Sequence, residues 1–367
     1  MKDDNDRARE GTLPRDPAEG AEPMPKGEEQ TRNAAAELLR RWEKHGKLSP
    51  DTFTTAPPEP KWLLTRGDRS KAQVPGALRL GKVGLLVAAG GVGKTQALVL
   101  LAIAVATGGW WLGTFHVATP GRVLLALGEE DAEEVHRRIY QAAKMLGLSA
   151  SDRALVLERI VVLPLAGVPV GLVEKDRMTG NVTTTDILDA LRKKLTEGGE
   201  WSLIALDPLS RWAGAETETD NASATRFIEA AETLVTSPGT PTVLLAHHTP
   251  KADRKNRTGP STPRGASALY DGARWVATLE AFEPSDYGAK DGARLPFDVL
   301  ELAITKSNYA ERGAPLRLTR DRSNSGALRP LTAPEEKSLE DWKKEARPPK
   351  GRKSDDARGD GERFPDA

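Results

Sequence analysis

An apolar run, VGLLVA (83–88), passes directly into AAGGVGKTQ and then into TQALVLLAIAVAT (95–107), a long apolar helix-forming segment. Few arrangements accommodate such a succession. The first run reads as a buried strand, the glycines as a tight loop and the last segment as a buried helix. Phosphate groups need many hydrogen-bond donors at close range. Glycines let consecutive backbone N–H groups converge, and a helix N-terminus adds positive potential. The pattern is that of a phosphate loop, G-x4-G-K-[ST], with Ala88 in the first glycine position. The simpler alternative is a glycine-rich turn capping a helix, but the strand–loop–helix context favours phosphate. Gly90, Gly91, Val92, Gly93, Lys94, Thr95 and Gln96 then form the nucleotide cradle. Lys94 reaches the outer phosphates, and the Thr95 hydroxyl suits magnesium.

Further along, similar apolar runs recur at 122–127, 160–165, 202–207, 242–247, 273–280 and 300–306. Helical patterns at 132–146, 184–197 and 221–235 lie between them. Near-continuous apolar strands alternating with helices predict an α/β fold with a mostly parallel sheet covered by helices on both faces. The expected organisation is a disordered extension over 1–32, a helix (33–45) plus Pro-rich linker to 81, an ATPase core over 82–332, and a disordered tail over 333–367.

Composition narrows the rest. Lys and Arg number 53 and Asp and Glu 53, so any basic surface is local. The chain has no cysteine, which excludes disulfides, thiol catalysis and cysteine-ligated metals and fits a cytoplasmic setting. The polar start carries no secretory signal, and the longest apolar run falls short of the roughly 20 residues a membrane span needs, so no membrane partner is expected.

In open parallel sheets, ligands sit at the carboxyl ends of strands. SLIALDPLSR places Asp207 at one such end, where a carboxylate suits magnesium; the alternative is an ordinary turn residue before Pro208. VLLALGEEDAEEVHRR places Glu129 and Glu130 at another, where a glutamate orients or deprotonates the attacking water. The two are not separable by sequence. Arg137 and Arg138, just beyond, read as a solvated helix face.

The stretch LLAHHTPKADRKNRTGPSTPRGAS ends a strand on His247 and His248 and continues into a basic loop. Adjacent strand residues face opposite ways, so the pair cannot chelate one ion. One of them can meet a nucleotide, and His248, nearer the loop, is preferred. Lys251, Arg254, Lys255, Arg257 and Arg264 in that loop could track a nucleic-acid backbone, although no aromatic residue is interleaved for base stacking. A solvated loop is the plainer reading.

These segments together with RGASALYDGARWVATLE and TKSNYAERGAPLRL resemble the RecA-type ATPases, and within them the hexameric plasmid replicative helicases of the RepA type, over roughly 82–329. The resemblance implies a RecA-like fold, ATP and Mg2+ as cofactors, hydrolysis between subunits of a homo-hexameric ring, and single-stranded DNA as partner. It gives Glu129 or Glu130 the catalytic role, His247 or His248 the γ-phosphate sensor position, Arg274 the arginine finger, and Lys306 a further cation at the neighbouring site. Spacing alone would make Arg274 a surface salt-bridge residue and Lys306 a solvated strand end. The alternative function is a non-unwinding regulatory or recombination-mediator ATPase of the same fold, which the acidic stretch ETETD (216–220) and neutral net charge favour.

Overall fold

The computed structural model describes residues 26–67, 76–214, 216–249, 267–289, 292–321 and 326–346. The five basic loop residues, Lys251, Arg254, Lys255, Arg257 and Arg264, lie outside the described residues, as do residues 1–25 and 347–367 of the expected disordered ends. The chain divides into two compact units, with the boundary in the sequence between Glu59 and Pro60.

The first unit contains helix α1 (Lys26–His45) and a single 3₁₀ turn, Pro50–Phe53, capped by Ser49. The helix starts earlier than the 33–45 pattern because Glu28, Glu29, Gln30 and Arg32 before it are themselves good helix formers. Glu37 pairs with Arg40 and Arg41 on its surface, while Leu38, Leu39 and Trp42 are exposed.

The second unit opens with β1 (Trp62–Arg66) and β2 (Gly76–Arg79), followed by β3 (Val83–Ala89) and α2 (Lys94–Thr107). Next come β4 (Trp110–Trp111), β5 (Phe115–Val117), β6 (Arg122–Leu127), α3 (Ala132–Leu146), α4 (Ala150–Arg159) and β7 (Ile160–Pro164). A small hairpin, β8 (Val173–Lys175) and β9 (Val182–Thr184), precedes α5 (Asp186–Glu197), β10 (Trp201–Asp207), α6 (Leu209–Ala213), α7 (Asn221–Val235) and β11 (Thr242–Thr249). The chain then forms α8 (Ser267–Gly272), β12 (Trp275–Phe282), β13 (Val299–Ser307), β14 (Leu316–Asp321), β15 (Ala327–Pro330) and α9 (Ala333–Ala346).

Nine strands form the main sheet in the order β15-β14-β13-β12-β3-β11-β10-β6-β7. From β12 to β7 every pairing is parallel, whereas β13, β14 and β15 add on antiparallel. The fold is therefore α/β with a large, mostly parallel sheet. Strand alternation sends Leu86, Leu244 and Ala246 into the core shared with α2 and α3, and Leu85, Val243 and Leu245 into the core shared with α5, α6 and α7. Helix α2 is apolar all round because it is enclosed: every residue from Gln96 to Ala106 is buried.

Two regions differ from the sequence expectation. Residues 62–79, expected as linker, supply β1 and β2 of a second antiparallel sheet ordered β2-β1-β5-β4. Its short strands show little periodicity, yet Leu63, Leu64 and Leu78 are fully buried beneath it. Residues 333–346, expected as disordered tail, form α9. Thr332 donates from N and Oγ1 to the Glu335 carboxylate, and Arg329 braces the same carboxylate at 2.7 and 2.8 Å.

Candidate active site

The carboxyl ends of four adjacent strands, β3, β11, β10 and β6, define one cavity of about 590 Å³. Beyond β3 the backbone turns through Gly91 and Gly93 at φ +75° and +113°, left-handed values that disfavour any residue with a side chain. Val92 turns its side chain into the core, leaving only its backbone for a phosphate. Lys94 is 4% exposed, and its Nζ has no hydrogen-bond partner among the described residues. Burial lowers its pKa, an effect opposed by the charges of Asp207 and Glu129. Gln96 is also buried, with Nε2 unpartnered among the described residues. Buried polar groups left unpaired are costly, so this pair of orphans marks a place built for a polar ligand.

From the end of β10, Asp207 accepts a 2.6 Å hydrogen bond from Thr95 Oγ1. Burial raises the Asp207 pKa, while the Thr95 bond and the Lys94 charge pull it down. An ammonium without a partner beside a hydroxyl–carboxylate pair fits a nucleoside triphosphate with Mg2+: Lys94 would hold phosphate, and Thr95 and Asp207 the metal. Among the described residues no cluster of three or more His, Asp or Glu side chains is arranged to hold a metal alone.

Strand β6 delivers Glu129 and Glu130 to the cavity through Gly128, whose N–H bonds to Asp207 O at 2.7 Å. A Cβ at Gly128 would lie 3.0 Å from Arg211 side-chain atoms, so any side chain here would force Arg211 to shift. The two glutamates differ. Glu130 is bound by Arg138 at 2.8 Å, and burial raises its pKa. Glu129 is half exposed, 3.8 Å from Arg211, and its charge acts on Lys94, Asp207 and His248.

The histidine pair divides as alternation requires. His248 lines the cavity. His247 follows Val243 and Leu245 onto the opposite face, where it is 2% exposed; its Nδ1 is 3.6 Å from Glu218 Oε1 and has no hydrogen-bond partner among the described residues. Burial lowers the His247 pKa to about 4, aided by the Lys94 and His248 charges. Burial also lowers that of His248.

Arg274 and Lys306 are not in this cavity. Trp275 pairs with Gly84, so Arg274 stands at the amino end of the parallel strands, exposed, and Lys306 is opposite Val276 on β13. The Lys306 Nζ donates to Tyr270 O and Asp271 O at the end of α8, at 2.8 and 3.0 Å, which braces the turn carrying Arg274.

Several cavity residues escaped the sequence reading, Arg137 and Glu134 of α3 among them. Arg138, expected on a solvated face, holds Glu130; capture of a helix residue by a strand-end acid eight positions earlier is a tertiary event. Gln141 lines the wall one turn further along α3. Arg320, from β14, bonds to the phosphate-loop carbonyls, and nothing local in its sequence marks it.

Comparison with protein-family models matches residues 43–254, more than half of the chain, to the family described as AAA domain. This chain belongs to the AAA domain family. The match supports a P-loop ATPase that binds and hydrolyses nucleotide. The matched span of the AAA domain contains the phosphate loop, Glu129, Glu130, Asp207 and both strand-end histidines, but ends before Arg274, Lys306 and Arg320. No helix among the described residues is long and apolar enough to cross a membrane.

Proposed function

We propose that this AAA-domain protein is a RecA-like ATPase that assembles into a ring, a homo-hexamer, and moves on single-stranded DNA as a replicative helicase or translocase. The observation that carries the proposal is the separation of Arg274 from the phosphate loop of its own chain. Strand β3 runs from Val83, beside Arg274, to Ala89, at the phosphate loop, or about 20 Å at the usual rise per residue. One side chain cannot span that distance. An exposed arginine so placed can serve a nucleotide only on another copy, and a head-to-tail contact of this kind forms a ring when its rotation closes.

Within the site, Lys94 and the phosphate-loop amides hold the phosphates. Thr95 and Asp207 would hold Mg2+, whose charge would offset that of the phosphates. Glu129, half exposed and 3.8 Å from Arg211, a longer ion pair than the 2.8 Å hydrogen bond that holds Glu130, orients the attacking water and accepts its proton. Glu130 and Arg138 form the wall that keeps it in place. His248 hydrogen-bonds near the γ-phosphate, while Arg274 of the adjacent subunit meets the developing charge. The chain after His248 enters the segment of Lys251, Arg254, Lys255, Arg257 and Arg264, which we assign to the DNA backbone.

A second reading, a non-unwinding regulatory or mediator ATPase, is favoured by the acidic segment after α6. There Glu216 and Asp220 pair with Lys175 at 3.0 and 3.3 Å. ATPase assays with and without single-stranded DNA, with mass measured alongside, and strand displacement on forked DNA separate the two. The motor reading expects DNA-stimulated turnover, hexamers and displacement. ATP-dependent oligomers with no displacement would leave the second reading.

A further inference from the structure

The phosphate loop has little packing of its own at its outer turn. A Cβ built at Gly90 or Gly91 would meet nothing within 4 Å. Within the loop the Val92 N–H donates to Ala89 O at 3.3 Å, a long bond that restrains its peptide plane weakly, and a carbonyl oxygen turned towards the anion site repels phosphate. A stronger restraint arrives from more than 200 residues away. Arg320 Nη2 donates to Gly91 O at 2.7 Å and to Val92 O at 2.8 Å. Beside it on β15, Leu328 packs 3.4 Å from where a Cβ at Gly93 would sit. Both peptides are trans, so each carbonyl points opposite to the N–H of its own plane. Holding the Gly91 and Val92 carbonyls therefore fixes the Val92 and Gly93 amides as well. Arg320 also lines the nucleotide cavity.

We propose that Arg320 is a positioning residue for nucleotide binding, which acts by locking two peptide planes of the phosphate loop. This rests on the nucleotide-site reading above. The lock acts on the cradle shared by di- and triphosphates, so it governs affinity for both and leaves the chemical step alone. A direct contact of Arg320 with the γ-phosphate would instead discriminate between them.

The test uses the full chain as wild type, Arg320→Ala and Arg320→Lys. Dissociation constants for a fluorescent ADP and a non-hydrolysable ATP analogue are measured together with KM, kcat and the thermal midpoint. Loss of two charge-assisted hydrogen bonds predicts that Arg320→Ala weakens both nucleotides by roughly ten- to a hundredfold. KM rises in step, with kcat within about threefold of wild type. Arg320→Lys, whose ammonium can donate to both carbonyls, recovers most of the affinity. Unchanged ADP affinity overturns the proposal. So does a loss confined to the ATP analogue with collapsed kcat, or a lysine variant that matches alanine and shares a lowered thermal midpoint. A wild-type chain that binds neither nucleotide removes the nucleotide reading, and this proposal with it.

Discussion

Thr95 Oγ1 donates a 2.6 Å hydrogen bond to Asp207 Oδ2, joining two residues 112 positions apart. The contact unites the start of α2 with the end of β10, and beside it Lys94 stays buried with no hydrogen-bond partner among the described residues. An ammonium buried without hydrogen bonds destabilises the protein unless a ligand satisfies it, even with the Asp207 and Glu129 charges near it. Lys94→Met is therefore expected to stabilise the nucleotide-free protein by about 1–3 kcal/mol while abolishing nucleotide binding. Urea unfolding and fluorescent-nucleotide titration of the variant check both halves. A less stable variant, or one that still binds ATP, contradicts the site.

The glutamates should separate in kinetics. Glu129→Gln is expected to lower kcat by roughly 10²–10³-fold with ATP affinity retained, because only the proton-accepting role is lost. Glu130→Gln keeps a partner for Arg138 and is expected to cost less than about tenfold. Single-turnover ATPase assays distinguish them, and equal losses would undo the division of roles.

His247 gives the fold a defined acid sensitivity. Its folded pKa of about 4 lies below the ordinary 6.5. Above pH 6.5 the residue is neutral in both states and contributes no pH dependence. As pH falls through 6.5 the unfolded chain takes up a proton that the folded chain refuses until about pH 4, so stability drops across that window. The drop is on the order of 3 kcal/mol. His247→Leu, on an otherwise apolar face, should flatten the pH dependence over that window by this amount. Denaturant unfolding at pH 7 and pH 4.5 measures it, and equal slopes in variant and wild type would refute the assignment.

Much of this arrangement was legible because the local signals agreed. Strand β3, the phosphate loop and α2 announce themselves through an apolar run, glycines and an apolar helix in direct succession. The strands ending at Asp207 and His248 are continuous apolar runs. Alternation alone requires the two histidines to part, but their register decides which of them meets the cavity. Helix α9 was missed although its start, TAPE (332–335), has the T-x-x-E spacing of a capping box; the charged composition around it masked the signal. The two-residue strand β4 has no periodicity to detect. Arg138 and Arg320 owe their roles to partners brought close only by folding, and a sequence shows an arginine without showing which carbonyl or carboxylate it will meet.

The central claim is that each nucleotide site is completed by Arg274 of another copy, and mixing two inactive variants tests it most directly. Arg274→Ala keeps the pocket and lacks the finger; Lys94→Met keeps the finger and lacks the pocket. If sites lie between subunits, an equal mixture reassembled at random rebuilds both parts at one interface in four, restoring about a quarter of wild-type turnover. Turnover that never exceeds the average of the two separate variants would contradict the account.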